Sequence, residues 1–326
     1  MDTGNKYRIL YLCQHLLKHS DADHPISTGQ LIRDLKHCYG IDVNRNTLAN
    51  DLEALRRCGF SIETIRSQSN SYYADTQTFD VPELKILIDA VSSSRFITKK
   101  KSEALIEKLL SLTSEHNAER LRRHVHVEGR VKSENEGGYY IVDAVNEAID
   151  RNRKIRFQYA DYSPSKRKVI RHNGEYYKVS PYALIWNGDY YYVVGFSERR
   201  GMVQSFRLDR FYKAPEITEE EAIPAPANFD VDAYSRSVFR MFDTDCPVTV
   251  ELYCANRIMN AVIDQFGKSV SVAVADEGHF TVRADVCPSP TFFSWVFGWE
   301  GEMRIVSPES VKESYREMAE KALRGS

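Results

Sequence analysis

The sequence predicts a multidomain protein of the α+β class, and three observations lead to that prediction. The chain has 326 residues, more than one ordinary core accommodates, so two or three domains of roughly 100–150 residues each are expected. Apolar residues recur with helical spacing near the N-terminus. Runs of β-branched and aromatic residues, separated by turn signals, fill the centre, and strand and helix patterns alternate near the C-terminus.

The composition is that of a globular chain. Hydrophobic residues make up 42% and charged residues 28% of the sequence, which excludes a disordered or a membrane-spanning class. The sequence has no apolar run of the roughly 20 residues that a bilayer-crossing helix needs, and it starts with polar residues rather than a signal peptide. Its six cysteines include no Cys-x-x-Cys pair, so reduced thiols and a cytoplasmic location are expected.

The formal charge of −2 is distributed unevenly along the chain. Between Arg151 and Arg171, eight basic residues occur with the single acid Asp161, whereas six acids and no base occur between Glu216 and Asp232. The basic segment could contact an anion. The acidic stretch is rich in proline, and we expect residues 216–239 to be a linker over the surface.

Residues 1–78 have the pattern of three helices followed by two short strands. The second helix begins at a capping box, Ser27-x-x-Gln30, and the third begins at the N-cap Asn44 and stops at Gly59. Three helices and a hairpin in this order resemble a winged helix-turn-helix. The third helix contains Asn46-Thr47-Leu48-Ala49-Asn50-Asp51, which resembles the usual Arg-Thr-Ile-x-Arg-Asp pattern with asparagine at both arginine positions.

The third helix and the hairpin after it are therefore predicted to bind operator DNA. The N-terminal residues of a recognition helix reach base edges in the major groove, where arginine pairs with guanine and asparagine with adenine. Arginines further along the helix and in the hairpin would lie near phosphates. The predicted DNA-binding residues are Arg45, Asn46, Thr47, Asn50, Arg56, Arg57 and Arg66. The alternative is a solvated helix face on a module that binds protein.

Residues 79–137 are predicted to be a helical linker. Pro82 lies at a helix start, and the segment Glu134-Asn-Glu-Gly-Gly138 marks the end of the linker. The helices need partners for their apolar stripes, either on the first domain or on a second subunit. The stripes are Leu84, Leu87, Ile88 and Val91, followed by Leu105, Leu109 and Leu112.

Residues 138–215 are predicted to form one helix and a set of strands. A compact amphipathic helix follows the linker, and the run Lys154–Tyr159 alternates polar with apolar residues. Between Tyr176 and Phe211, strand-like runs are separated by Asn187-Gly188-Asp189 and by a turn at Gly201.

The order of these residues resembles the WYL domain of bacterial transcriptional regulators. Val179-Ser-Pro-Tyr-Ala-Leu184 and Phe206-Arg-Leu-Asp-Arg210 match the family pattern at the right separation, and the Trp-Tyr-Leu trio corresponds to Tyr191, Tyr192 and Val193. The resemblance implies a central Sm/SH3-like β-barrel preceded by one helix. It also implies a sensor, since some WYL domains respond to single-stranded DNA or nucleotide-like anions.

Aromatic and cationic side chains of this barrel form the predicted ligand site. Aromatic rings stack bases, while cations follow phosphates. The predicted ligand-binding residues are Tyr159, Ser180, Tyr182, Tyr192, Ser205, Arg207 and Arg210. The alternative is that the tyrosines belong to the core and rim of the barrel, and that Asp209 and Arg210 form an ion pair that closes the last strand.

Residues 240–326 have strand and helix patterns in the order β-α-β-β-α-β, which predicts a small ferredoxin-like α+β domain. The region resembles the C-terminal extension of WYL proteins, including a Trp295-Val-Phe-Gly298 segment before the final strand. The family uses this extension for dimer contacts or for shielding the ligand site, so the resemblance implies one of these roles.

The sequence shows no catalytic motif: it lacks a glycine-rich phosphate loop, Gly-x-Ser-x-Gly and His-Glu-x-x-His. His124 and His126 point the same way in a strand-like run, but no further ligand is spaced nearby, so we predict no metal and no cofactor. The predicted protein is a non-enzymatic, homodimeric, ligand-responsive transcriptional regulator whose WYL domain senses an anionic, nucleic-acid-derived ligand. The alternative is a nucleic-acid-binding accessory protein that modulates a defence or repair complex.

Overall fold

The computed structural model describes residues 4–75, 78–123, 132–133, 137–237 and 248–324. The chain divides into two compact units, Met1–Glu134 and Asn135–Ser326. Both units combine helices with antiparallel sheets, so the protein is multidomain and α+β. None of the helices in the described ranges is long and apolar enough to cross a membrane.

The first unit begins with three helices and a small antiparallel sheet, whose strand order is β1-β3-β2. The helices and the strands β2 and β3 appear in the predicted order, whereas the short strand β1, which pairs with Ser71 and Tyr72, was not predicted. The elements are α1 (Gly4–His19), β1 (Ile26–Ser27), α2 (Thr28–Tyr39), α3 (Arg45–Arg57), β2 (Ile62–Ile65) and β3 (Ser71–Ala74).

Helix caps fix the starts of α2 and α3. The predicted N-cap at Asn44 is confirmed, since its side chain accepts a hydrogen bond from the backbone N–H of Thr47 (2.9 Å). Only half of the predicted capping box forms at α2. Ser27 accepts from the Gln30 N–H, but the Gln30 side chain donates to Asp34 (2.6 Å) instead of reaching back to the cap. The apolar stripes of the three helices then meet in a core that includes Leu12, Leu16, Leu31, Leu35, Leu48, Leu52, Leu55 and Ile62.

Three further helices complete the first unit: α4 (Val81–Ser93), α5 (Lys99–Leu110) and α6 (Glu115–Arg123). Pro82 lies in the first turn of α4, as predicted. The predicted apolar stripes are partly wrong, because Leu87 and Leu112 are exposed and the small core is built from Leu84, Ile88, Ile106, Leu110, Ala118 and Leu121. Helix α6 was not predicted, and His124 and His126 lie outside the described residues.

The second unit begins with one helix and an antiparallel five-stranded sheet of order β10-β4-β7-β8-β9, while β5 and β6 form a separate hairpin. Within the described residues, β9 and β10 are the two edges of the sheet and do not pair, so the predicted barrel is not closed. The elements are α7 (Gly138–Asp150), β4 (Arg153–Phe157), β5 (Ala160–Tyr162), β6 (Lys168–Ile170), β7 (Tyr177–Asn187), β8 (Tyr190–Ser197), β9 (Met202–Arg207) and β10 (Glu216–Glu221).

Aromatic residues fill the core under α7. The Phe157 ring stacks on Phe211 (centroids 3.9 Å apart) and on Tyr177, and Ile141 and Val145 of α7 are fully or almost fully buried. Strand β7 has a bulge between Pro181 and Ala183, where it approaches Gly195 of β8. A Cβ atom at position 195 would collide with the Ser180 carbonyl oxygen, so only glycine fits this close approach.

The acidic stretch after residue 215 was predicted to be a linker, but its first part is strand β10. It pairs with β4, which comes from the basic segment, so the two oppositely charged segments lie side by side. Arg156 pairs with Glu216 (2.6 Å), and Lys154 lies 3.0 Å from Glu220. Cross-strand pairs of opposite charge favour this pairing even though glutamate is a poor strand former.

The second unit ends with a four-stranded antiparallel sheet of order β12-β13-β11-β14, covered on one face by helices. The predicted order β-α-β-β-α-β is confirmed, and one further helix follows it. The elements are α8 (Val231–Ser237), β11 (Val248–Ala255), α9 (Met259–Phe266), β12 (Ser271–Val274), β13 (His279–Val286), α10 (Pro290–Phe297), β14 (Met303–Ser307) and α11 (Glu309–Arg324).

Candidate nucleic-acid and ligand surfaces

The solvent side of α3 carries polar side chains that the fold does not use. Arg45, Asn46 and Asn50 are exposed, and their side chains make no hydrogen bond or ion pair to any residue in the described ranges. The opposite side of the same helix packs Leu48, Leu52 and Leu55 into the core. The helix therefore presents donors and acceptors to solvent at its N-terminal half, which is where a recognition helix contacts bases.

Two of the predicted DNA-binding residues have structural partners. The Thr47 hydroxyl donates to the Asn44 side chain (3.0 Å) as part of the cap. Arg56 donates from Nε to the Ile62 carbonyl oxygen (2.9 Å) and from Nη2 to the Thr64 hydroxyl (2.6 Å). Arg56 therefore fastens α3 to strand β2, and less of its guanidinium remains for a phosphate.

The remaining two predicted arginines are more open to solvent. Arg57 lies at the end of α3, where its Nε is 3.5 Å from a Glu53 carboxylate oxygen and its side chain is 79% exposed. Arg66 lies directly after β2 in the turn of the hairpin and is exposed. These two residues can move towards a phosphate without breaking a buried contact.

A buried ion pair between Arg8 and Asp51 sets the orientation of α3, and the sequence reasoning missed it. Arg8 of α1 donates to both carboxylate oxygens of Asp51 at 2.5 and 2.9 Å, and the Asp51 side chain is 6% exposed. Bidentate pairing restricts the geometry as well as neutralising the charge. No local spacing could have revealed the pair, because the two residues are 43 positions apart.

In the second unit, Arg207 lies at the end of β9 between a carboxylate and an aromatic ring. Its guanidinium donates to both Asp209 oxygens (3.0 and 2.8 Å) and lies 3.5 Å from the Tyr190 ring centroid. Burial disfavours its charged form, but the Asp209 carboxylate outweighs that effect and the net result is a raised pKa for Arg207. Asp209 therefore pairs with Arg207 and not with Arg210, which corrects the alternative considered from the sequence.

Tyr159 lies beside Arg207 and is buried, with 6% of its surface exposed. Its hydroxyl accepts a hydrogen bond from the backbone N–H of Arg207 (3.1 Å), and the Arg171 guanidinium lies 5.1 Å from its ring centroid. Burial raises the pKa of Tyr159 to about 12. The residue is a packed ring with a buried hydroxyl, so its accessible surface for stacking a base is small.

Arg171 and Arg210 share a second carboxylate. Arg171 forms a bidentate pair with Asp161 (Nη2–Oδ1 2.9 Å), and Arg210 Nη1 lies 3.7 Å from the same oxygen. The hydrogen bonds from Arg171 lower the pKa of Asp161, which therefore stays ionised. We call Arg171, Arg207 and Arg210 the arginine cluster. Its three positive charges face two carboxylates, Asp161 and Asp209, which leaves one positive charge uncompensated.

The sheet face that carries Tyr192 is covered by the chain after β10. Residues 222–234, here called the cover segment, lie along β7. The Ile223 N–H donates to the Ser180 hydroxyl (2.9 Å), and the Tyr182 hydroxyl donates to the Pro224 carbonyl oxygen (3.1 Å). Ser180 is fully buried, so a ligand reaches it only after the cover segment moves.

The cover continues with an apolar cluster. The Phe229 ring is tilted against the rings of Tyr182 (centroids 5.6 Å apart) and Tyr234. Phe229 and Tyr234 pack against buried Tyr192 and Val194 together with Cys287. Ser205 lies opposite Val194 in the β8–β9 ladder, on the same face. The predicted ligand residues thus fall into two groups. Arg207 and Arg210 belong to the arginine cluster and Tyr159 lies beside it, whereas Ser180, Tyr182 and Ser205 lie along the covered part of the face. Tyr192 lies opposite Arg207 and also packs against the cover segment, so it joins the two groups.

Metal ligands are not grouped in the described part of the chain. No cluster of three or more His, Cys, Asp or Glu side chains there could hold a metal ion. The candidate surfaces therefore consist of hydrogen-bonding, cationic and aromatic groups.

Comparison with known protein families assigns two segments of the second unit. Residues 140–216 match the WYL domain, and residues 244–323 match the WCX domain. The chain carries a WYL domain followed by a WCX domain. The resemblance that the sequence indicated for this region is thereby confirmed. The WYL match ends at the first residue of β10, so most of the strand that completes the sheet lies beyond it.

Two solved structures resemble the whole chain at low sequence identity. Proteasome accessory factor B/C (PafBC) of Arthrobacter aurescens is 18% identical, with 96% of this chain and 45% of that chain covered and a TM-score of 0.29. A CRISPR Cas-related protein is 11% identical, with 95% and 97% covered and a TM-score of 0.24. The chain thus spans less than half the length of the PafBC chain. No curated protein matches the sequence.

Proposed function

We propose that the protein is a non-enzymatic, ligand-responsive transcriptional regulator that binds operator DNA through its N-terminal module. In this proposal α1–α3 and the β2–β3 hairpin form a winged helix-turn-helix, with α3 in the major groove. The observation that carries the proposal is the unpaired polar side of α3, where Arg45, Asn46 and Asn50 are exposed over a fully packed apolar side. Arginine and asparagine are the residues that read guanine and adenine.

The WYL domain is the proposed sensor of an anionic, nucleic-acid-derived ligand. The excess positive charge of the arginine cluster supports binding of an anion, and the half-buried ring of Tyr190 beside Arg207 supports contact with a base. The cover segment supplies the link to regulation. The two arrangements in this proposal have the cover segment either on the sheet face or moved away from it. A ligand that contacts the covered face binds the second arrangement better, so it increases the population of that arrangement. The proposal includes a homodimer, since an operator with two half-sites is read by two copies.

DNA binding is tested with the full chain and a labelled fragment of the promoter upstream of its own gene. Fluorescence anisotropy at several salt concentrations should show saturable binding that weakens steeply with salt, because phosphate contacts release counterions. The double change Arg45→Ala and Asn46→Ala should reduce the preference for the promoter over random DNA. Absence of binding at low salt, with the protein folded, would contradict the DNA-binding proposal.

Ligand binding is tested separately with short single-stranded oligonucleotides and the same full chain. We expect saturable binding that Arg210→Ala weakens, because Arg210 has only a distant carboxylate partner and its loss does not break a close pair. Arg66→Ala is the matched control in the first unit. Binding of oligonucleotides without any promoter binding would favour an accessory role in a defence or repair complex over transcriptional regulation.

A further inference from the structure

The basic segment between Arg151 and Arg171 contains cations that the fold neutralises and cations that it does not. Three of them, Lys166, Arg167 and Lys168, follow one another at the turn of the β5–β6 hairpin and are exposed. Their side chains form no ion pair with any residue in the described ranges. The other five are Arg151, Arg153, Lys154, Arg156 and Arg171, and their partners are Glu147, the Glu219 carbonyl oxygen, Glu198 with Glu220, Glu216 and Asp161, respectively. The positive charge left over in this segment is therefore concentrated at the hairpin.

The backbone of the hairpin decides on which side each of its cations lies. Asp161 is opposite Val169 in the β5–β6 ladder, and backbone hydrogen bonds extend that ladder to Arg167 at one end and to Arg171 at the other. Side chains alternate along a strand, and directly opposite residues share a face. Arg167, Val169 and Arg171 thus lie on one face together with Asp161. We call this side of β5–β6 the hairpin face.

The hairpin face continues the arginine cluster, because Arg171 belongs to both. The Asp161 carboxylate pairs with Arg171 and lies 3.7 Å from Arg210 Nη1, so the cluster meets the hairpin at this carboxylate. Arg167 is four residues from Arg171 along an extended strand, a distance of about 13 Å. Between the two arginines lies Val169, an apolar side chain that is 54% exposed.

We propose that the hairpin face is a second phosphate subsite beside the arginine cluster, and that the WYL domain binds an oligonucleotide across both. Arg167 contacts one phosphate, and Arg210 with Arg171 contacts another. Val169 packs against the sugar or base between them. Cations that follow the backbone and apolar contacts to the nucleosides are how proteins bind single strands. The phosphate chain of one mononucleotide is too short to reach both positions.

The subsite depends on the position of a cation and not only on local charge. Lys168 is the next residue after Arg167 and carries the same charge, but it lies on the opposite face of the hairpin. There it is opposite Tyr162, and its Nζ lies 5.9 Å from the centroid of that ring. Lys168 raises the positive potential around the turn without facing the arginine cluster. The two neighbouring residues therefore form a matched pair for a test.

This inference rests on the proposed sensor function and extends it. The sensor requires an anion at the arginine cluster, whereas the subsite also requires that the ligand reach Arg167. A ligand that binds the WYL domain but is insensitive to Arg167 would leave the sensor in place and remove the subsite. The two proposals can therefore fail separately.

The test titrates the full chain with labelled thymidine oligonucleotides, from the dinucleotide to the decanucleotide, and uses dTMP as an unlabelled competitor. Fluorescence anisotropy should show affinity that rises with length until both positions are occupied and then levels off. Arg167→Ala should weaken binding of the longer oligonucleotides about two- to fivefold and affect the dinucleotide less. It should also lower the salt slope by about 0.7, because one phosphate contact is lost.

Lys168→Ala is the control, since it removes the same charge from the other face. It should change the affinity for long oligonucleotides less than Arg167→Ala does. Both side chains are exposed, so neither change is expected to disturb the fold. Equal losses for the two variants would mean diffuse attraction to the turn and would overturn the subsite.

Three further outcomes would also contradict the inference. An affinity that does not depend on length, or dTMP that competes as well as the decanucleotide, would leave a single subsite at the arginine cluster. Binding of duplex DNA but not of single strands through Arg167 would assign the hairpin to the operator backbone. No binding of any oligonucleotide by the folded protein would overturn the sensor together with the subsite.

Discussion

The two predicted binding surfaces of this chain differ in how much of them the fold already uses. On α3, the residues proposed to read bases are exposed and have no partners in the described structure, and the helix is held in place by its apolar side, the Arg8–Asp51 pair and Arg56. In the WYL domain, Tyr159, Tyr192 and Ser180 are buried, and Arg207 is held between Asp209 and Tyr190. A surface of the first kind can be altered without cost to stability, whereas a surface of the second kind cannot.

The difference follows from the geometry of the two elements. A surface helix buries one stripe and leaves the rest to solvent, so polar residues off the stripe are available by default. A sheet has two faces, and here α7 covers one face while the cover segment and Cys287 cover part of the other. Polar residues on a doubly covered sheet must find partners within the protein, because a buried polar group without a partner is costly.

The largest expected effect is a difference in stability between alanine variants of two arginines, one from each surface. Arg207→Ala should lower the free energy of unfolding of the second unit by about 2–3 kcal/mol, because it leaves the Asp209 carboxylate without its partner in a largely buried site. Arg45→Ala should change stability by less than about 0.5 kcal/mol. Urea unfolding followed by tryptophan fluorescence reports on the second unit, which holds Trp186, Trp295 and Trp299.

Removing both members of the pair provides the control. Arg207→Ala combined with Asp209→Ala should cost less than the sum of the single changes, since no charge is then left buried alone. If Arg207→Ala left the urea midpoint unchanged, or if Arg45→Ala shifted it equally, the distinction between the two surfaces would be lost.

The second effect concerns alkaline pH and the buried ring of Tyr159. Burial raises the pKa of Tyr159 to about 12 in the folded protein. Its contribution to stability is therefore complete below the unfolded pKa near 10 and is lost as the pH rises from 10 to 12, because the unfolded chain then binds fewer protons. The loss should amount to about 2–3 kcal/mol and should show as a falling urea midpoint.

Tyr159→Phe isolates this titration from the others. The variant keeps the ring but loses the hydroxyl that accepts from the Arg207 N–H, so it should be less stable near neutral pH and should show a smaller drop above pH 10. An identical pH dependence in both proteins would assign the drop to other groups, with Tyr192 the first candidate because burial also raises its pKa.

The third effect tests whether different residues of α3 read bases and contact phosphates. Asn46→Ala should cost about 1–2 kcal/mol of discrimination between operator and random DNA and leave non-specific affinity nearly unchanged. Arg57→Ala should weaken both kinds of binding alike and reduce the salt slope by about one. Anisotropy titrations on the two DNAs at several salt concentrations measure both quantities. Equal losses on both DNAs for both variants would remove the distinction between base reading and phosphate contact.

The smallest effect measures how firmly the cover segment is attached. Ser180→Ala removes the acceptor of the Ile223 N–H and should cost about 1 kcal/mol of stability. If the cover segment controls access to the ligand face, the same change should strengthen oligonucleotide binding slightly. Hydrogen exchange at the Ile223 amide checks the attachment directly, and unchanged protection would show that other contacts hold the segment.

Local signals in the sequence predicted a large part of this fold. The N-caps Ser27 and Asn44, the end of α3 and the order of strands and helices in the WCX domain depend on residues close together in the chain. These features formed as expected, except that Gln30 does not complete the capping box. Helix α6 was missed because its two buried residues, Ala118 and Leu121, make too weak a stripe. Strand β10 was missed because its glutamates oppose strand formation and its partner Arg156 lies 60 positions earlier.

The candidate sites were predicted less completely than the fold, and for a physical reason. Periodicity assigned Arg45, Asn46 and Asn50 to the open side of α3, because a helix has a known repeat. It could not show that Arg56 would be bound to strand β2, nor that Arg171 would join the arginine cluster. Those contacts depend on the approach of segments that are distant in sequence, and spacing along the chain carries no information about them.

The pairing of the acidic strand β10 with the basic strand β4 makes the protein carry its own counterions. Glu216 and Glu220 occupy the positions that phosphates would otherwise take beside Arg156 and Lys154. A fragment that stopped at the end of the WYL match would keep Glu216 but lack Glu220, and would leave Lys154 and Lys178 without that partner. Such a fragment should bind polyanions of any sequence. Its measured affinity would reflect the missing carboxylates and not ligand binding by the intact WYL domain. In the intact chain, β10 neutralises these cations, so the proposed sensor has to bind its ligand where positive charge is left over, at the arginine cluster.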